Sequence, residues 1–230
     1  MLQCDGLILE QGTFRLRAEV DVPGPGLVGI LGPSGSGKST LLAAVAGFLA
    51  PKSGRILWDG DDITGRAPGQ RPLSILFQDQ NLFPHLTVRQ NLGLGLSANL
   101  QLTVTDRQAI DAVLERVGLS AMGDRRPAAL SGGQASRAAL ARALLRKRPL
   151  VLLDEPFAAL GPALKEEMLA LVAETLSDAL VLMVTHDPAD ARGAPHALTI
   201  LEGEVAGPFA TDQLLADPPP ELQAYLGSRM

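Results

Sequence analysis

Four runs of the chain are apolar nearly throughout: Leu27 to Leu31, Leu73 to Phe77, Leu150 to Leu153 and Leu180 to Val184. Strands covered on both faces of a parallel sheet carry this pattern, because neither face meets water. Phe14 to Val20 alternates imperfectly, as a half-exposed antiparallel strand does, and Gly54 to Gly60 reads as a second short strand between turn signals. Helical patterns fall between several of the apolar runs, so the expected fold class is α/β. From about Thr87 to Arg148 the pattern is helical. Thr105 and Gln108 are spaced as a capping box, Ile110, Val113, Leu114 and Val117 recur at helical spacing, and Gly118 supplies a stop. This block reads as a helical insertion in the sheet rather than a linker. Pro218-Pro219-Pro220 opens what reads as a short, loosely held tail.

The first apolar run leads into Gly32-Pro33-Ser34-Gly35-Ser36-Gly37-Lys38-Ser39-Thr40, and a helix-like run, Leu41 to Ala46, follows. The nine residues fit G-x-x-x-x-G-K-[ST], and strand-loop-helix is the setting that turns this match into a mechanism. Glycines let the backbone curl until successive N–H groups converge on phosphate oxygens, and the helix start adds the positive end of its dipole. Lys38 is expected to reach the outer phosphates and Ser39 to ligate Mg²⁺.

A second nucleotide element is expected with such a loop. The run Leu150 to Leu153 delivers Asp154 and Glu155 to its C-terminal end, where ligands bind in open α/β sheets. Asp154 is expected to hold Mg²⁺ through water, and Glu155 to act as the general base on the attacking water. By itself a carboxylate pair after a strand is as often an ordinary loop; Lys38 tips the balance. Upstream, Leu130-Ser131-Gly132-Gly133-Gln134 reads as another helix N-terminus with two glycines. Ser131 is a good N-cap, and backbone N–H groups there can face an anion. The helix that follows is rich in Ala and Leu, reaches Arg146-Lys147-Arg148 and is stopped by Pro149.

Bulk properties narrow the class. A chain of 230 residues is one domain or two small ones and can bury a sizeable core. A net charge of −5 gives no electrostatic footprint for nucleic acid. The single cysteine, Cys4, excludes an internal disulfide and a multi-cysteine metal site. Met1 to Asp5 lacks the basic and apolar regions of a secretory start, and the apolar stretch Leu41 to Ala50 is too short to span a bilayer. The expectation is a chain soluble by itself, meeting a membrane through a partner.

The pentapeptide Leu130 to Gln134, just upstream of the Asp154-Glu155 strand, resembles the signature of the ATP-binding-cassette (ABC) ATPases. The resemblance runs in order and spacing from about residue 1 to 210. It implies a RecA-like P-loop NTPase core with an N-terminal antiparallel β-subdomain and an inserted α-helical subdomain. Residues 1–86 and 149–210 would form the nucleotide-binding core, 87–148 the helical signature subdomain, and 211–230 the short tail. It further implies that Gln78 senses the metal and faces a membrane subunit, and that His186 is the switch histidine at the γ-phosphate. His85 and His196 lack such a setting and read as surface or loop residues; Trp58 reads as packing. ATP and Mg²⁺ are the implied cofactors.

In this family two copies pair head-to-tail, so each ATP would lie between Lys38 of one chain and Ser131-Gly132-Gly133-Gln134 of the partner subunit. Transmembrane permease subunits and a periplasmic or extracellular solute-binding protein are the implied partners, nucleic acid is not, and the implied place is the cytoplasmic face of the bacterial inner membrane. The length leaves no room for the extra C-terminal β-domain of sugar and polyamine importer ATPases. The stretches Phe77 to Leu96, Ala46 to Leu49 and Leu182 to His186 are similar to the bacterial thiamine (vitamin B1) importer ATPases beyond the shared motifs. Alternatives are an importer ATPase for another small solute (an inorganic ion, polyamine or amino acid) and a soluble cassette of DNA repair or translation. A small-molecule P-loop kinase is a third, which would not predict Leu130 to Gln134.

Two positions depart from the family pattern. Where relatives carry an aromatic residue that stacks on adenine, this chain has Gln11; either Phe14 takes that part or stacking is weak. After Glu155 the usual Ser-Ala-Leu-Asp is Ala158-Ala159-Leu160-Gly161, so the carboxylate that couples the two ATP sites is missing.

Overall fold

Leu2–Gln11 (β1) and Phe14–Val22 (β2) pair as an antiparallel hairpin, from Leu2 with Val22 to Gln11 with Phe14. Along β2 the residues Leu16, Ala18, Val20 and Val22 are buried while those between them face water, the period of two that a sheet with one wet face imposes. Gly26–Leu31 (β3) runs into the glycine loop, which opens Lys38–Ala46 (α1). Ser53–Trp58 (β4) pairs antiparallel with β1, and Asp61–Asp62 (β5) with β4. The computed structural model describes residues 1–77 and 82–227.

Leu73–Leu76 (β6) precedes the helical block of Val88–Gly93 (α2), Val104–Arg116 (α3) and Gly132–Leu145 (α4). Leu150–Asp154 (β7), Pro162–Thr175 (α5) and Leu180–Val184 (β8) follow, then Pro188–Arg192 (α6), His196–Leu201 (β9), Glu204–Ala210 (β10), Thr211–Ala216 (α7) and Pro220–Gly227 (α8).

All ten of these strands join one sheet in the order β5-β4-β1-β2-β10-β9-β3-β8-β7-β6. From β9 to β6 every neighbour is parallel. The antiparallel strands attach through β10, which is antiparallel to β9 and parallel to β2. Each residue of β7 and β8 is buried, so their unbroken apolar runs report a sheet with both faces covered. One face packs α1 against residues such as Ile30, Leu152 and Leu182; the other packs α2 to α5 with Val151, Leu153, Val181 and Met183.

The four apolar runs become β3, β6, β7 and β8 as expected. Strands β1, β5, β9 and β10 add to that reading. The capping box is corrected: α3 is capped by Thr103, whose Oγ1 accepts from Asp106 N at 3.1 Å while Asp106 Oδ2 accepts from Thr103 N at 2.8 Å. Thr105 therefore lies inside the first turn, because the Thr103-Asp106 pair satisfies the helix start two residues earlier. The tail is corrected as well. Thr211–Ala216 and Pro220–Gly227 form α7 and α8, and Leu214, Leu222 and Tyr225 pack with Leu31, Ala191 and Ala197 in a small core of their own. Three prolines made the segment look unstructured; buried apolar contacts order it. Trp58 packs against the main core, His85 is exposed, and His196 is an exposed residue at the start of β9.

Candidate nucleotide site

The loop between β3 and α1 is built on a left-handed turn. Gly37 is the N-cap of α1 at φ 104°, a conformation that only glycine adopts without strain. The first turn of α1 holds no acidic residue, so nothing in it opposes an incoming anion. Lys38 is 5% exposed, and its Nζ donates to Gly32 O and Pro33 O at 2.7 Å each. The ammonium thus lies folded over the loop, against backbone carbonyls. Ser36 N donates to Pro33 O at 3.2 Å, and Ser36 Oγ is buried with no partner among the described residues.

Asp154 ends β7 with 6% exposure. Burial pushes its carboxyl above the ordinary carboxylate value; a hydrogen bond with Ser39 opposes this, the negative charge of Glu155 adds to it, and Lys38 and His186 oppose it. Its Oδ1 is buried and has no partner among the described residues. A buried oxygen of this kind is costly unless something with positive charge meets it.

Glu155 is turned out of the strand direction. Its φ is 49°, a left-handed conformation that costs a non-glycine residue about 1–2 kcal/mol. The turn is held by Glu155 N donating to Val184 O at 3.1 Å. It aims the carboxylate at His186, whose Nε2 lies against Glu155 Oε1. The neighbouring strand thus holds a strained backbone conformation in place.

A pocket of about 410 Å³ gathers these groups: Ser34, Gly35, Gly37, Lys38, Ser39 and Thr40 from the loop, Glu155 and His186 from the strand ends, and Gln11 and Phe14 from the β1–β2 hairpin. Residues drawn from four places in the chain thus converge on one cavity at the C-terminal ends of parallel strands, the usual ligand position in such sheets. Phe14 lies on the same pocket as Gln11, so the hairpin does bring a ring to the place where the sequence departs from its relatives.

Ser131 to Gln134 do not line this pocket. Ser131 caps α4: its Oγ accepts from Gln134 N at 3.3 Å and Gln134 Oε1 accepts from Ser131 N at 2.9 Å. The glycines face the loop after β7. A Cβ on Gly133 would lie 3.1 Å from Leu160 Cδ2 and 3.3 Å from Ala159 O. Gln78 lies outside the described residues.

Two supporting residues escaped the sequence reading. Arg71, 4% exposed, donates from Nη1 to Ala44 O and Val45 O at 2.8 Å each and from Nη2 to Thr64 O at 2.7 Å. It supplies the cation that the last turn of α1 lacks in its own sequence. Asn91, fully buried, accepts from Phe83 N at 2.7 Å and donates to Phe83 O, Leu86 O and Thr87 O, pinning residues 83–87 to α2. No local spacing marks either residue.

The family model of the ABC transporter matches residues 17–158, well over half the chain. The chain belongs to the ABC transporter family. Among its relatives, the thiamine import ATP-binding protein ThiQ of Cereibacter sphaeroides is 59% identical over 230 residues, covering 99% of this chain and 100% of that one. The protein of the same name from a Ruegeria species is 52% identical with equal coverage. A solved dimeric structure, a post-hydrolysis state of the ATP-binding cassette MJ0796 bound to ADP and Pi, superposes with a TM-score of 0.81 at 27% identity over 92% of this chain and 99% of that one. The ABC ATPase fold expected from the signature is therefore the fold observed. Among the described residues no helix is long and apolar enough to cross a membrane.

Proposed function

We propose that this ABC protein is the ATP-hydrolysing subunit of a bacterial importer, and that the imported solute is thiamine. The end-to-end identity of 59% with a thiamine import ATP-binding protein carries the choice of solute. Convergence of Lys38, Glu155 and His186 on one pocket supports the hydrolytic role.

The chain works as a single cassette, with residues 1–86 and 149–210 holding nucleotide, 87–148 carrying the signature and 211–230 closing the chain. Backbone N–H groups of Ser34 to Thr40 bind phosphate oxygens in the loop that Gly32 and Pro33 open, and Lys38 exchanges its two carbonyl partners for the outer phosphates. Asp154, through water, and Ser39, with Gln78, would hold Mg²⁺. The fit is good: Asp154 Oδ1 is a buried oxygen in want of a positive partner, and among the described residues no cluster of three or more His, Cys, Asp or Glu forms an all-protein cage. Magnesium takes one or two carboxylates together with substrate phosphates and water. When bound it supplies charge neutralisation at the phosphates.

Glu155 takes the proton from the attacking water as general base, held in its turned position by the β8 backbone and by His186. His186 in turn faces the γ-phosphate. The protein acts as a homodimer, head-to-tail, with Ser131 of the partner subunit completing each site; solved cassettes of this fold are dimeric. Closed and open dimers differ in their affinity for γ-phosphate, and that difference drives the cycle.

Permease subunits dock in a groove of about 360 Å³ lined by Phe48, Phe77, Phe83 and Arg142. Phe48 and Phe83 are exposed there at 58% and 46%, more apolar surface than a solvated face needs. The chain is thereby peripheral, on the cytoplasmic face of the inner membrane, with a solute-binding protein reached through the permease.

The decisive experiment is uptake of labelled thiamine by the complex reconstituted with its permease, in wild type and in Glu155→Gln. Wild type should import, and the variant should bind ATP normally while hydrolysing at least about 100-fold more slowly. Import of a different solute in preference would overturn the thiamine reading, and near-normal hydrolysis by the variant would overturn the role of Glu155.

A further inference from the structure

We propose that Tyr225, on the terminal helix α8, is a positioning residue for His186; the inference rests on the reading of His186 as a group that faces the γ-phosphate. Two sides of the His186 ring are occupied. Nε2 meets Glu155 Oε1, and Nδ1 lies 3.3 Å from Tyr225 Oη. The same hydroxyl donates to the backbone carbonyl of His186 at 3.0 Å. One phenol thus holds both the main chain and the ring of a single residue, from 39 positions away.

The proton count makes the contact directional. A phenol has one proton, and with that proton on the His186 carbonyl its oxygen accepts from Nδ1–H. A second hydrogen bond of this type fixes the plane of an imidazole whose other nitrogen faces a reacting group. Nε2 is then directed toward Glu155 and the pocket that both line.

Tyr225 is 8% exposed and packs with Leu31, Ala191, Ala197, Leu214 and Leu222. Leu31 is the last residue before the phosphate loop, and Ala191 lies on the helix just after His186. Helix α8 therefore rests on the two segments whose relative placement the site needs. A phenylalanine would fill the same volume. The hydroxyl adds a grip on His186, and its function is to keep the ring in the orientation that serves hydrolysis.

Hydrolysis kinetics, thermal melting and histidine-selective nitrogen NMR on the full-length chain test this with Tyr225→Phe. The expected result is a kcat lower by about fivefold, the size of one lost hydrogen bond, with KM for ATP unchanged because the phosphate loop is untouched. The His186 ring signals should move while those of the other two of the three histidines, His85 and His196, stay in place. Unchanged kcat would overturn the proposal, as would a fall in kcat with unmoved His186 signals and a lower melting temperature, the mark of a packing role. His186→Ala is the companion variant. Full activity there would remove the reading of His186 itself, whereas loss of activity there with an unaffected Tyr225→Phe removes only the role of Tyr225.

Discussion

Phe14 and Gly37 meet at the mouth of the nucleotide pocket: a Cβ on Gly37 would lie 2.5 Å from Phe14 Cζ. The backbone at φ 104° and the ring both demand glycine there. The ring so placed lies beside the phosphate loop, while Gln11 on the same hairpin is exposed. Phe14→Ala is expected to weaken ATP binding by about tenfold, within the range of a lost base–aromatic stack. Calorimetric titration with ATP checks this, and an unchanged Kd would show that the base is held without Phe14. Gly37→Ala should abolish binding in the same assay.

Lys38 is buried rather than projecting from a surface loop, so its removal has two effects. Lys38→Ala should abolish tight nucleotide binding, since the ammonium that would neutralise the outer phosphates is removed. It should also cost about 1–3 kcal/mol of stability, because Gly32 O and Pro33 O lose their shared donor. Titration of a labelled ATP analogue and urea denaturation measure the two separately. Retained affinity would remove the phosphate-loop assignment.

The contact of Gly133 with Leu160 places the signature helix against the loop that follows Glu155. In a Glu155→Gln background ATP should convert monomer to dimer, and ADP should not, because it lacks the phosphate that joins the two faces. Ser131→Arg should block dimer formation and leave ATP binding to the monomer nearly unchanged, as Lys38 and its loop are elsewhere. Replacing Gly161 with aspartate should strengthen the dimer if the family's coupling carboxylate matters here. Light scattering with ATP, ADP and no nucleotide reads each outcome; a chain monomeric with ATP at high concentration, even beside its permease, is incompatible with the paired mechanism.

Cys4, 3% exposed, has its thiol pushed up to about 12, by burial first and then by the charges of Glu19 and Asp21. The native thiol stays protonated at pH 8 and should react with a disulfide reagent only after unfolding. The unfolded thiol ionises near about 8.5 and the folded one does not, so this group's contribution is full below that pH and declines as pH rises through it. A reagent titration in native and denaturing buffer, with denaturation midpoints at pH 7 and pH 10, checks both statements. Fast native labelling at pH 8 would contradict the burial of Cys4.

Much of the site was legible because its parts are local. The phosphate loop is nine consecutive residues whose glycines dictate their own backbone, Ser131 and Gln134 form a box within one helical turn, and Asp154-Glu155 end a run whose apolarity announces a covered strand. Each such signal is encoded by neighbours in sequence. The capping of α3 misled by two residues because Thr103 and Thr105 offer nearly equal hydroxyls, and only the fit of Asp106 to the Thr103 amide chooses between them. The tail misled because prolines speak of the chain's stiffness and not of the surface that receives it.

By itself, then, the sequence determined the α/β class, the glycine loop that opens α1, the Asp154-Glu155 pair at the end of β7 and the Ser131 cap of α4. Tertiary structure alone decided that β10 would join the antiparallel strands to the parallel ones, that Arg71 would cap α1, and that Phe14 would come to the pocket. It also decided that His186 would lie between Glu155 and Tyr225. These relationships link segments tens of residues apart, and their energy comes from burial and hydrogen bonds that exist only once the chain has closed. No period or spacing records them, because a polar side chain carries no local mark of the partner it will meet.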